Sequence, residues 1–100
     1  MSYAVVVSRK AFDGLKNAFV DEGGVPLEVI AATVDALTRL AENPVELGRK
    51  PLIPYPGNPQ VYAFSCTVGD VVHRFAALFS YGQNENTLFI HAVRHERMVL

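Results

Sequence analysis

The stretch HAVRHERM, residues 91–98, gathers the side chains most able to do chemistry. His91 and His95 stand four apart, with Arg94 and Arg97 beside them. Imidazole exchanges a proton near neutral pH. A guanidinium presents a planar fork that pairs with phosphate or carboxylate. Together they can bind a phosphodiester and move protons around it. On a helix the same His-x-x-x-His spacing pinches one metal ion. On a strand, residues i and i+4 share a face but lie about 13 Å apart at ~3.3 Å per residue. Each zinc ligand must come within about 2.1 Å of the metal. Thr87, Phe89 and His91 alternate with apolar Leu88, Ile90 and Ala92, which favours a strand. No metal and no cofactor are therefore expected.

The elements that position these groups follow from the pattern along the chain. SYAVVV (2–7) is aromatic and β-branched and reads as a first strand. Ser8 suits an N-cap, and Phe12, Leu15 and Phe19 recur at helical spacing through Val20. The DEGG turn (21–24) stops that helix. Pro26 suits the first turn of a second helix. Its predicted apolar stripe is Leu27, Ile30, Val34, Leu37 and Ala41, widened by Ala31 and Leu40. Asp35 and Arg39 form an acid-first i,i+4 pair on its wet face. Asn43-Pro44 ends it. Residues 44–60 hold five of the six prolines and read as a loop tacked to the core by Leu47, Leu52, Ile53 and Tyr55. Three strands follow, at 61–68, 71–81 and 87–97, joined by short turns and hence antiparallel.

The order β-α-α-β-β-β predicts one α+β domain over residues 1–100, a helical hairpin laid on one face of a mostly antiparallel sheet. Strict alternation then sorts the strand residues. Tyr62, Phe64, Cys66 and Val68, Phe75, Ala77, Phe79 and Tyr81, and Leu88, Ile90 and Ala92 should face the helices. Ser65, Arg74, His91, His95 and Arg97 should line the open face, together with the apolar Val72, Ala76, Leu78, Phe89 and Val93. His73 falls in the covered set but reads as an exposed residue at a frayed strand start. The plainer reading of the open face is a solvated strand end whose charges keep the sheet soluble.

Composition narrows the function classes. Nine basic and ten acidic residues give a formal charge of −1. A general nucleic-acid binder usually carries a basic excess, because phosphate neutralisation supplies most of its affinity. Any such role here must rest on a local cluster. A single cysteine, Cys66, excludes an internal disulfide and reads as a small core residue. No apolar run reaches the roughly 20 residues of a membrane span, and MSYAVVVSRK lacks a basic segment before its apolar residues. A cytoplasmic bacterial protein is expected.

The element order resembles the RelE/ParE superfamily of small toxins from bacterial toxin–antitoxin pairs. LTRLAENPVELGRKPL (37–52), HRFAALFSY (73–81) and AVRHERM (92–98) are similar to that family's helix end, arginine-bearing strand and closing strand, and the likeness spans nearly the whole chain. The resemblance implies a cognate antitoxin as partner. It implies either cleavage of ribosome-bound mRNA or poisoning of DNA gyrase. Carried over by residue, Arg74 would hold the scissile phosphate, His95 would transfer a proton, and Arg97 would steady developing negative charge. His91, Ser65 and Arg94 would help bind. The strand at 61–68 departs from the RNA-cutting pattern, with Ala63 and Ser65 where those members place lysines, and no aromatic residue follows Arg97. The departures suit a gyrase-type toxin, or a toxin fold put to another use, better. The alternative is a non-catalytic interaction domain on the same fold, with a homodimer as one form of it, whose open face or edge strand receives a peptide.

Overall fold

The computed structural model describes residues 2–51, 56–82 and 86–95. The chain is α+β. Four strands, β1 (Ala4–Val7), β2 (Gln60–Val68), β3 (Val71–Tyr81) and β4 (Thr87–His95), form one sheet in the order β1-β4-β3-β2. The β2–β3 and β3–β4 pairs are antiparallel, as tight turns between consecutive strands require. β1 runs parallel to β4, and the chain crosses over between them through the helices.

Helix α1 (Asp13–Ala18) lies over β4, and α2 (Leu27–Glu42) lies over β2. A 3-10 turn at Val20–Glu22 and left-handed Gly23 (φ 80°) end the first helical segment, as the tandem glycines suggest. α1 is shorter than its periodicity predicts. Ser8 does not cap it; its backbone carbonyl and hydroxyl instead accept from Ala11 and Lys10 in a preceding turn. Pro26 sits at the N-cap of α2, where its carbonyl accepts from Val29 and Ile30 and its missing N–H costs nothing. The predicted loop at 44–60 opens with a one-turn helix, α3 (Pro44–Leu47), and Arg49 bridges to Val61 of β2. Leu52, Ile53 and Tyr55, assigned above to the core, lie outside the described residues.

The core lies between the helices and one sheet face. Leu40, Ala77, Phe79, Leu88, Ile90 and Val93 form one cluster. Leu15, Phe19, Val29 and Phe75 form a second, in which the two helical segments meet. The buried side of α2 is Val29, Thr33, Ala36, Leu40 and Ala41. This corrects the predicted stripe by about one residue's rotation. Leu27, Ile30 and Val34 stand exposed, Leu27 at 79% and Val34 at 61%. Both registers keep the 3.6-residue period, so periodicity alone does not choose between them. The small side chains of Thr33 and Ala36 let α2 approach β2, and Thr33 silences its hydroxyl by donating to the Val29 carbonyl at 2.8 Å. The Asp35–Arg39 ion pair forms as expected, at 3.0 Å on the wet face.

Candidate functional site

The geometry of the candidate site turns on one irregularity in β4. Phe79 pairs with Ile90, but Leu78 pairs with Ala92, so His91 is an extra residue opposite the β3 ladder. This is a β-bulge, and a bulge shifts the alternation of everything beyond it. Before it, Leu88 and Ile90 face the helices; after it, Val93 and His95 do. His91 and Ala92 are left side by side on the open side. The bulge falls where β1 departs. Ser8 N–H still donates to the Ile90 carbonyl at 3.1 Å, and the next contact on that edge is Val93 N–H to the Ala11 carbonyl at 2.9 Å.

The bulge overturns three placements made from strict alternation. His95 is not on the open face. It is 1% exposed beneath the helices, and Val93 is buried with it. Ala92 turns to the open side. His73 is 7% exposed rather than solvated at a frayed end. The buried histidines are partners, His73 Nδ1 lying 2.9 Å from His95 Nε2. One nitrogen carries the proton and the other accepts it. Phe19 packs against both rings, with centroids 5.2 and 5.4 Å away, and Phe75 stands edge-on to His95 at 5.1 Å. Cys66, the cross-strand neighbour of His73, is half-buried, and its thiol donates to the Glu28 carbonyl at 3.4 Å.

The open face keeps the other candidates. Arg74 and Ser65 are exposed and directly opposite each other on β3 and β2. Arg94 is half-buried opposite Ala76. Arg97 lies outside the described residues. His91 is exposed, and its Nε2 lies 2.6 Å from Ser80 Oγ. Ser80 lies two residues beyond Leu78 and so shares its face of β3, but its partnership with His91 depends on cross-strand register, which no local pattern carries. Leu78, expected to be open, is buried. It lies in a cleft of about 420 Å³ bounded by Pro56, Gly57 and Pro59 on one side and by Leu78, Ser80, His91, Ala92 and Arg94 on the other. Within it no described group accepts a hydrogen bond from the buried Nε of Arg94. The sequence-named residues thus divide: His91 and Arg94 share the cleft, Arg74 and Ser65 form a neighbouring pair, and His95 is on the far side of the sheet.

A second concavity, of about 470 Å³, runs between the edge strand and α2. Val5, Val7, Phe12, Val34, Leu37 and Ala41 give it an apolar lining. Leu27 and Ile30 continue the same apolar helix surface beyond it.

A parallel β1–β4 pair at the edge of an otherwise antiparallel sheet, with the helices on one face, defines an α+β fold. A solved structure similar to it is the crystal structure of the toxin–antitoxin complex RelBE2 from Mycobacterium tuberculosis. One of its chains matches with a TM-score of 0.62 at 22% identity, over 96% of this chain and 100% of that one. No protein-family model matches the chain, and no curated protein matches it. No helix among the described residues is long and apolar enough to cross a membrane.

Proposed function

We propose that the chain is the toxin-like member of a toxin–antitoxin pair and that it acts by gripping a protein target, DNA gyrase being the target its resemblance suggests. The fold likeness to a chain of the RelBE2 complex, over essentially all of both chains, supports the toxin–antitoxin reading. The observation that carries the preference for a protein target is the burial of His95. A side chain 1% exposed beneath two helical segments cannot reach a scissile phosphate on the open face. The open side of β2 adds no cation, offering Val61, Ala63, Ser65 and Thr67. With a formal charge of −1, the chain also lacks the field that steers a protein to RNA.

Cleavage of ribosome-bound mRNA is the second reading, and the Ser80–His91 pair favours it. An exposed imidazole beside Arg94, with Arg74 further along β3, can carry a proton in place of His95. In that reading Arg74 holds the phosphate and His91 moves the proton.

Induced expression of the chain in bacteria separates the readings. A gyrase-type toxin arrests growth, breaks chromosomal DNA and leaves transcripts whole, and Arg74→Ala or His91→Ala changes the arrest only through target affinity. Transcripts cut within codons, with cutting abolished by Arg74→Ala and His91→Ala, would replace it with the nuclease reading. Harmless accumulation of folded protein would point instead to the non-catalytic interaction domain. Co-expression with the protein of an adjoining reading frame should relieve the arrest and yield a complex on purification.

A further inference from the structure

We infer that the cleft between the Pro56–Pro59 turn and the bulged strand is a receptor for a carboxylate, carried by an acidic residue with apolar neighbours in an extended segment of the protein target. The inference rests on the protein-binding reading above and names the chemistry that reading would use.

Three observations carry it. The first is the charge balance of the cleft. Among the described residues Arg94 is the one cation lining the cleft, no acidic side chain lines it, and no group accepts from the Arg94 Nε. A half-buried guanidinium with no anion among the described residues is an incomplete arrangement, because a desolvated charge is stable only when paired and hydrogen-bonded. Arg39, by contrast, has its carboxylate at 3.0 Å. An arriving carboxylate would pair with the guanidinium through a charge-assisted hydrogen bond.

The second observation is the Ser80–His91 couple. At 2.6 Å one of the two must donate to the other. When His91 Nε2–H donates to Ser80 Oγ, the serine hydroxyl proton is free to donate onward. An anion in the cleft selects that tautomer. The couple then presents one neutral donor in addition to the arginine, without adding charge. The bulge is what makes this possible, because it brings Arg94 onto the open face, where alternation already places His91 and Ser80.

The third is the remaining wall. Pro56, Pro59, Leu78 and Ala92 are apolar. They suit the aliphatic flanks of a peptide better than the ribose and serial phosphates of RNA. One half-buried arginine satisfies one carboxylate; a polyanion draws its affinity from many cations at once, and this chain has a formal charge of −1.

The test is titration of the isolated folded chain by NMR with a capped peptide, acetyl-Leu-Val-Glu-Val-Leu-amide, and its Gln analogue. The expected result is saturable shifts at His91, Arg94 and Ser80 with the Glu peptide, and at least tenfold weaker binding of the Gln peptide. Arg94→Gln should lose that discrimination and keep the fold, read from an otherwise unchanged spectrum. His91→Gln should weaken binding severalfold. Equal binding of the Glu and Gln peptides, or no binding by either, overturns the inference. So does tighter binding of hexauridylate at the same residues, which makes the cleft a phosphate site. Growth arrest with DNA breakage alongside a failed titration would sink only the carboxylate site; a successful titration with cut transcripts would sink only the gyrase reading.

Discussion

At the scale of single residues, the three histidines of the chain have two separate fates. His73 and His95 are structural, since each satisfies the other's ring nitrogen inside an aromatic cage. Replacing His95 with Ala opens a cavity and strands a buried nitrogen of His73. A loss of about 3–5 kcal/mol is expected from the two effects together, measured by urea unfolding. His91→Ala removes an exposed side chain and should change stability by about 0.5 kcal/mol or less. A growth assay on His95→Ala alone would therefore confuse unfolding with loss of function, and His91→Ala is the clean probe of the open face. Tyr81 offers a check by pH. Partial burial, and then the nearby Tyr3, whose ring centroid is 5.9 Å away, push its phenol above the ordinary 10.0. A folded-state value above the unfolded one means the folded chain holds that proton more tightly. Its stabilising effect is whole below pH 10 and is lost as pH rises through the folded value. Ultraviolet titration should show a late tyrosine, and Tyr3→Phe should bring it back toward 10.

At the scale of elements, the bulge in β4 is the feature with most leverage. Deleting one residue from a regular strand reverses every side chain beyond it. Deleting His91 should do the opposite. It removes the extra residue and leaves Leu88, Ile90, Val93 and His95 facing the helices, so the chain is expected to fold with stability changed by about 1 kcal/mol. Deletion of Ala76, in the regular part of the central strand, should abolish folding; circular dichroism of the two variants decides. The second helix makes a parallel case. Val29→Ala should cost roughly 2 kcal/mol for two buried methyl-sized groups, while Val34→Lys should cost almost nothing in the isolated chain. The existence of α1, α2 and all four strands was legible, because Gly, Pro and hydrophobic period mark them, while the single turn of α3 was not. Which side of α2 faces inward was not, since Leu27, Ile30 and Val34 make as good a stripe as Val29, Thr33 and Ala36. Burial there is decided by how closely small side chains let the helix approach the sheet.

At the scale of the whole molecule, the surface left apolar is the informative quantity. Val5, Val7, Leu27, Ile30 and Val34 form an uncovered band beside the edge strand. An exposed edge next to an apolar groove is a place where a partner strand or helix settles. In the toxin–antitoxin reading proposed above, an antitoxin is expected to settle there. Leu27→Lys with Val34→Lys should leave the chain folded, weaken antitoxin binding at least tenfold by calorimetry, and reduce self-association when the chain is purified alone. The sequence by itself determined the fold class, the strand and helix order, and the presence of histidines and arginines on the closing strand. These depend on local period and on turn chemistry, which neighbouring residues carry among themselves. It did not determine which of those side chains meet. The bulge that buries His95 and pairs His91 with Ser80 depends on where β1 leaves β4 and where Val93 finds the Ala11 carbonyl. Those contacts join residues some eighty positions apart in sequence, so only the folded chain, through its cross-strand register, could decide them.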